Sequence, residues 1–303
     1  MKLTLEQYRL LPSDSDVEFY NLHGYYVARQ IFSDEEIDEA IRGSERFYAG
    51  ERDFHLHKRL KPFKGWKIGD GEVLRINDYV SLQNREIANL AHHPLIGAIA
   101  ARLCGSSTIR LWHDQMIYKP VDESCQKTTI GWHTDRAYWK TCSSVDMLTA
   151  WIPFSDCEES MGPLVVIDGS HRREGFSELR GFHNHNPSGS NAGFETLYRE
   201  FDQVSLNLKK GQVSFHHCLT IHGSRPNRSN VRRLSLSVHL QDGSNQYCEY
   251  KDSEGEIVWH RNDLLCRTVD DRPDYADVDI CPVLWREEPS PTGNSYSGGV
   301  GSI

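Results

Sequence analysis

From Thr108 onward the chain stops reading as helix and becomes a succession of short apolar runs: TIRLWHDQMIY, VDMLTAWIPF, GPLVVID, QVSLNL, GQVSFHH and RLSLSVHLQ. Each is bounded by Gly, Pro, Asp, Asn or Ser, residues that turn the chain and end strand pairing. No alternation of strands with crossover helices separates them, so a parallel βαβ sheet is excluded. The runs must pair antiparallel, as a sandwich or a barrel.

What precedes them has helical periodicity. SDSDVEFYNLHG carries Ser and Asp cap candidates and Gly24 as a stop, and YYVAR reads as a short strand. SDEEIDEAIRGSERFYAG opens with Ser33 and Glu36 in capping-box spacing, with Ile37, Ala40, Ile41 and Phe47 on one face. NREIANLAHHPLIGAIAARLCG is a helix pair interrupted at Pro94 and stopped by Gly105. The expectation is a single domain over 1–303, mainly β with flanking α-helices. Its helical part covers about 1–107, its β-core about 108–245, and a C-terminal extension 246–303. Segments 51–71, 172–203 and the tail from Glu288 read as loops, the first two as candidate lids.

Composition narrows the function. At 303 residues the chain has ample apolar material for a core without a staple. A net charge of −9 argues against a nucleic-acid partner, which calls for a basic footprint. The eight cysteines form no C-x-x-C pair. No apolar run approaches a membrane span and the N-terminus lacks a signal-peptide core, so a cytoplasmic protein with free thiols is expected. Oligomeric state is not legible.

Within the β-rich part, GWHTDRAYW places His133 and Asp135 two residues apart among aromatics. On an extended strand i and i+2 side chains point the same way, so both reach one ion. Two imidazoles and a carboxylate on one face, with open positions opposite, make the facial set used by Fe(II) oxygenases. His222 in TIHGSRPN, at the end of an apolar run and before a turn, is the best third donor. His171, His183, His185, His216 and His217 compete for the place; the last two read better as packing residues or as supports behind the ligands. Arg233 opens RLSLSVHL, and its guanidinium suits bidentate capture of a carboxylate.

As a set, WHDQMIYKP, GWHTDRAYW, GPLVVIDGSH, TIHGS and the arginine of RLSLSVHL make the chain, over about 17–241, similar to the phytanoyl-CoA dioxygenase family of Fe(II)/2-oxoglutarate oxygenases. The resemblance implies a double-stranded β-helix (jelly-roll, cupin-like) core buttressed by the N-terminal helices. It implies His133, Asp135 and His222 as iron ligands and Arg233 as the anchor of the distal carboxylate of 2-oxoglutarate. Trp151, Gln115 and Arg75 fall where the family holds its cosubstrate, with Arg232 as the substitute for Arg233 if the register shifts by one. Tyr138, Trp139, Trp66 and His217 are candidates for substrate contact, against a plain packing role.

The implied cofactors are Fe(II), 2-oxoglutarate and O2. The implied reaction hydroxylates an unactivated carbon of a small polar molecule, a secondary-metabolite intermediate, with release of succinate and CO2. Related halogenases lack the carboxylate ligand, so Asp135 favours hydroxylation over halogenation. Desaturation, cyclisation or epimerisation at the same site, and a non-catalytic binding module of the same fold, remain the alternatives.

Overall fold

The computed structural model describes residues 2–56, 70–122, 128–183 and 200–287. Five helices precede the core: α1 (Leu5–Tyr8), α2 (Asp14–His23), α3 (Asp34–Tyr48), α4 (Arg85–Ala91) and α5 (Pro94–Cys104). Their ends lie where the cap residues put them. Ser13 and Ser33 each accept from the backbone N–H three residues on and are answered by Asp16 and Glu36, which closes both capping boxes. Pro94 is the first residue of α5, where its missing N–H costs nothing. Gly24 ends α2 at φ +80°, and a Cβ there would lie 2.3 Å from His171 Nδ1, so conformation and packing both require glycine.

Ten strands follow the expected runs and their flanks: β1 (Tyr25–Val27), β2 (Arg75–Asp78), β3 (Thr108–Lys119), β4 (Ile130–His133), β5 (Leu148–Pro153), β6 (Leu164–Ile167), β7 (Gln203–Ser205), β8 (Ser214–His217), β9 (His222–Ser224) and β10 (Arg233–Asp242). The C-terminal part adds two hairpins, β11 (Tyr250–Lys251) with β12 (Ile257–Val258) and β13 (Thr268–Val269) with β14 (Arg272–Pro273). Helix α6 (Arg261–Leu265) lies between them, and β15 (Val283–Arg286) closes the described chain.

Two antiparallel sheets face each other as a jelly roll. The large one runs β1-β8-β5-β10-β3, with β2 and β15 sharing the free edge of β3; the small one runs β4-β9-β6-β7. β10 shows how alternation builds the molecule, because it is buried along its whole length. Leu234, Leu236, Val238 and Leu240 face the helices and join Ile37, Phe47 and Ile99 in the main core. Each contributes about 1.5–3 kcal/mol by leaving water. The alternate residues Arg233, Ser235, Ser237 and His239 are buried as well, on the face turned to the small sheet. That inner face is polar, and it holds the site. No helix among the described residues is long and apolar enough to cross a membrane.

Candidate metal centre

β4 ends on His133 and β9 begins on His222, and the two residues are direct partners in the antiparallel register. Asp135 lies one step beyond β4, as the first residue of a 3₁₀ turn over Asp135–Ala137. The idea of a single strand carrying both His133 and Asp135 therefore needs correction, since the strand stops at His133. Thr134 nevertheless keeps an extended backbone, φ −112° and ψ 143°, which leaves both side chains on one side. His133, Asp135 and His222 bring one donor atom each within 4.8 Å of one another, all buried. Asp135 Oδ1 is 3.8 Å from His133 Nε2 and 3.6 Å from His222 Nε2.

The imidazoles are held for this task. His133 Nδ1 donates to the Gly131 carbonyl at 2.8 Å and His222 Nδ1 to the Thr220 carbonyl at 2.9 Å, so each presents a bare Nε2 to the centre. Burial lowers both pKa values, that of His222 strongly, and keeps the rings neutral and able to ligate. Burial alone would raise the pKa of Asp135, but His222 and the other imidazoles around it outweigh this and hold the carboxyl well below its usual range. An ionised carboxylate and two neutral imidazoles are the donor set that an Fe(II) site requires.

Beneath Asp135 runs one rung of the large sheet: His113 on β3, His239 on β10, Thr149 on β5 and His216 on β8, each the register partner of the next. Thr149 donates to Asp135 Oδ2 at 2.6 Å, and His216 Nε2 lies 3.4 Å from the same oxygen. The His113 and His239 rings are 4.2 Å apart. Sequence reasoning missed His113, His239 and Thr149. The available signal was polar residues at alternate positions of otherwise apolar runs.

On the other side of the ligands Arg233 is fully buried, donates to the Gly162 carbonyl and stacks over Trp151 at 5.6 Å. Its register partner is Lys119, also fully buried, whose Nζ donates to Ser224 Oγ at 2.7 Å and to the Arg225 carbonyl. Among the described residues neither cation has a carboxylate within ion-pair distance. Burial lowers both pKa values, and Arg233 lowers that of Lys119 further. Arg233, Trp151 and Ser224 line a narrow inner pocket that reaches His133, Asp135 and His222. Arg233, buried in that pocket without a counter-ion among the described residues, suits an anion; Lys119 stands beside it but lines neither pocket. Arg232 points away and pairs with Glu45 at 2.9 Å, so Arg233 is the inward arginine.

An outer cavity of about 900 Å³ opens from the same ligands. Tyr138 and Phe182 line it, and the Phe182 N–H donates to the Tyr138 hydroxyl at 3.3 Å. Trp139 lines it with one edge but is almost wholly buried in a core cluster with Trp112 and Met147, so it serves both as packing and as wall. Gln115 touches both pockets and donates to Asp78 at 2.8 Å. His183 lines the cavity; His185 and the rest of that loop from 184 to 199 lie outside the described residues.

Two expected residues are elsewhere. His217 lines neither pocket: it follows His216 on β8, and strand alternation turns it to the opposite face, beside His171 and Tyr20. Arg75 also lines neither pocket; it pairs with Glu72 at 2.6 Å between the rings of Tyr48 and Tyr118. Trp66 and the basic stretch 57–69 lie outside the described residues.

The family model described as phytanoyl-CoA dioxygenase (PhyH) matches residues 20–235. The chain is 24% identical over 257 residues to the peroxisomal phytanoyl-CoA dioxygenase of Bos taurus, covering 78% of this chain and 70% of that protein. Among solved structures it resembles the non-heme alpha-ketoglutarate-dependent epimerase SnoN from nogalamycin biosynthesis, with a TM-score of 0.64 at 22% identity over 92% of this chain and 98% of that one. EctD from S. alaskensis, solved with 2-oxoglutarate and 5-hydroxyectoine, gives a TM-score of 0.64 at 20% identity over 82% of this chain and 81% of that one.

Proposed function

The chain belongs to the phytanoyl-CoA dioxygenase family of Fe(II)/2-oxoglutarate-dependent oxygenases, and on that footing we propose that it hydroxylates an unactivated carbon of a small polar molecule, an intermediate of secondary metabolism. Its cofactor and cosubstrates are Fe(II), 2-oxoglutarate and O2. The observation that carries the site assignment is the pairing of one facial donor set with one anion receptor, set side by side in a buried pocket. His133, Asp135 and His222 would hold the iron, and Arg233 would take the distal carboxylate of 2-oxoglutarate against the Trp151 ring, with Lys119 adding positive charge beside it.

When bound, the iron supplies the oxidising power, driven by loss of CO2 from 2-oxoglutarate and formation of succinate. The protein's own residues do the rest. The carbonyls of Gly131 and Thr220 fix the tautomers of the two ligand imidazoles, so that no proton competes for Nε2. The buried inner pocket excludes water and strengthens every charge interaction made there. Arg233 is locked by the Gly162 carbonyl and by Trp151, so capture of the carboxylate costs little ordering.

The outer cavity supports the substrate class. Its volume suits a ligand of drug-like size. Glu72, Asp78 and Asp122 line it together with Lys140 and Arg261, a mixed polar wall that suits a hydroxylated or amine-bearing molecule. The aromatic wall of Tyr138, Trp139 and Phe182 suits a ring. Residues 1–303 are read as one catalytic unit, because β1, β2 and β15 from both flanks join the sheet that bears the rung, and the cytoplasm is the proposed location.

The test is succinate formation from 2-oxoglutarate under O2 with Fe(II), stimulated by candidate ring metabolites. A product that gains one oxygen atom supports hydroxylation. An isomerised, desaturated or cyclised product would replace that outcome, and turnover with Zn(II) alone would overturn the reading.

A further inference from the structure

The two oxygens of Asp135 have different surroundings. Oδ1 stands near the Nε2 atoms of His133 and His222, 3.8 and 3.6 Å away. Oδ2 is turned to the large sheet, where it accepts the Thr149 hydroxyl at 2.6 Å. Thr149 lies between Asp135 and His239, and its Oγ1 is also 2.7 Å from His239 Nδ1.

A threonine hydroxyl has one proton and two lone pairs. The carboxylate can only accept, so that proton is given to Asp135. It cannot also be given to His239, and the 2.7 Å contact must therefore run from the imidazole N–H to the hydroxyl oxygen. The hydrogen bonds thus have a fixed direction, from His239 to Thr149 to Asp135. Both supports are buried, on strands held by full antiparallel registers, and neither can rotate away without leaving a polar group unpaired. His216 Nε2 also faces Oδ2 from β8, but at 3.4 Å it stands farther off than the Thr149 hydroxyl at 2.6 Å.

We propose that Thr149 and His239 are positioning residues that keep Asp135 a one-oxygen ligand, with Oδ1 for the iron and Oδ2 retained by the large sheet. Three protein donors leave three positions of an octahedral ion open, and a second carboxylate oxygen would close one of them. The relay prevents that by giving Oδ2 a better partner. The inference rests on the reading of His133, Asp135 and His222 as the iron site, and it is tested without a substrate.

The experiment is anaerobic titration of the metal-stripped, full-length protein with Fe(II) in the presence of 2-oxoglutarate. It is followed by the visible charge-transfer absorption of the chelate, and the metal-free melting temperature of each variant is checked first. Thr149→Val, nearly isosteric, is expected to weaken Fe(II) binding about 10–100-fold and to alter the absorption band. Thr149→Ser, which keeps the hydroxyl, restores both. His239→Leu reproduces the loss, whereas His239→Asn, whose amide N–H takes the place of Nδ1–H, restores the affinity. Because the two residues act in series, the Thr149→Val, His239→Leu double variant binds no worse than Thr149→Val alone. Wild-type affinity and spectrum in Thr149→Val, or in His239→Leu should Thr149→Val not fold, overturns the positioning role while leaving the iron site intact. Failure of the wild-type protein to bind Fe(II) overturns the iron site itself.

Discussion

The two sheets of the jelly roll divide the work unequally. The small sheet offers His133 and His222 from two short strands, with Asp135 one step off the end of the first. The large sheet offers none of these three donors, yet it places Thr149 and His239 behind the Asp135 carboxylate and Arg233 in the inner pocket, with Lys119 beside it. Ligands need only a short reach from a strand end. Their supports need fixed positions across three registers, which the paired strands β3, β10, β5 and β8 provide. On the proposed reading, the small sheet presents the chemistry and the large one holds it in place.

The comparison breaks first at the ligands. Asp135→Ala and His222→Ala should each reduce 2-oxoglutarate decarboxylation to background, measured as succinate release; turnover near the wild-type rate would remove the small sheet from the chemistry. Next comes the large sheet's anion receptor. Arg233→Met is expected to raise the KM for 2-oxoglutarate about 100-fold, on the order of 3 kcal/mol, because it removes a desolvated partner of a buried charge. Lys119→Met should act in the same direction but less, since its Nζ is already engaged by Ser224 and the Arg225 carbonyl.

The large-sheet side should also carry part of the acid sensitivity. His260 stacks on Trp112 of β3 and caps α6 by accepting the Asn262 N–H, and burial lowers its pKa to about 3. Between that value and the ordinary 6.5 the unfolded chain binds a proton that the folded chain does not, so stability falls as pH drops through this window. At pH 5.5 the loss is about 1 kcal/mol. His260→Asn keeps a capping acceptor without titrating, and its metal-free melting temperature should fall less between pH 7.5 and 5.5 than that of wild type.

The smallest effect separates packing from function on the same sheet. Arg75→Ala should lower the melting temperature by a few degrees, through its contacts with Glu72, Tyr48 and Tyr118, and leave the KM for 2-oxoglutarate unchanged. A tenfold rise in KM would return Arg75 to the cosubstrate pocket.

How much of this was legible follows from the same division. Capping residues and turn residues mark element ends locally, so Ser13, Ser33, Pro94 and Gly105 placed helix ends and the six apolar runs placed strands. His133, Asp135 and His222 stood out because ligand types in such spacing are rare. Thr149, His239 and Lys119 did not, because their roles come from cross-strand register, which single-strand patterns do not encode. Alternation was the one usable hint: in SFHH it separates His216 from His217, yet it cannot say which face is inward until the sheets are paired. The extension after 245 escaped for a simpler reason, since strands of two residues, such as β11 and β13, leave no periodicity to read.

The buried pair of Lys119 and Arg233 has a thermodynamic consequence. Burial works against the charged forms of both groups, neither has a carboxylate within ion-pair distance among the described residues, and a dicarboxylate that binds only the folded state relieves this. A ligand at a hundred times its Kd adds about 2.7 kcal/mol of stability by mass action. 2-Oxoglutarate would therefore act on this protein as a folding ligand as well as a reactant, and the lifetime of the chain would rise and fall with the supply of its own cosubstrate.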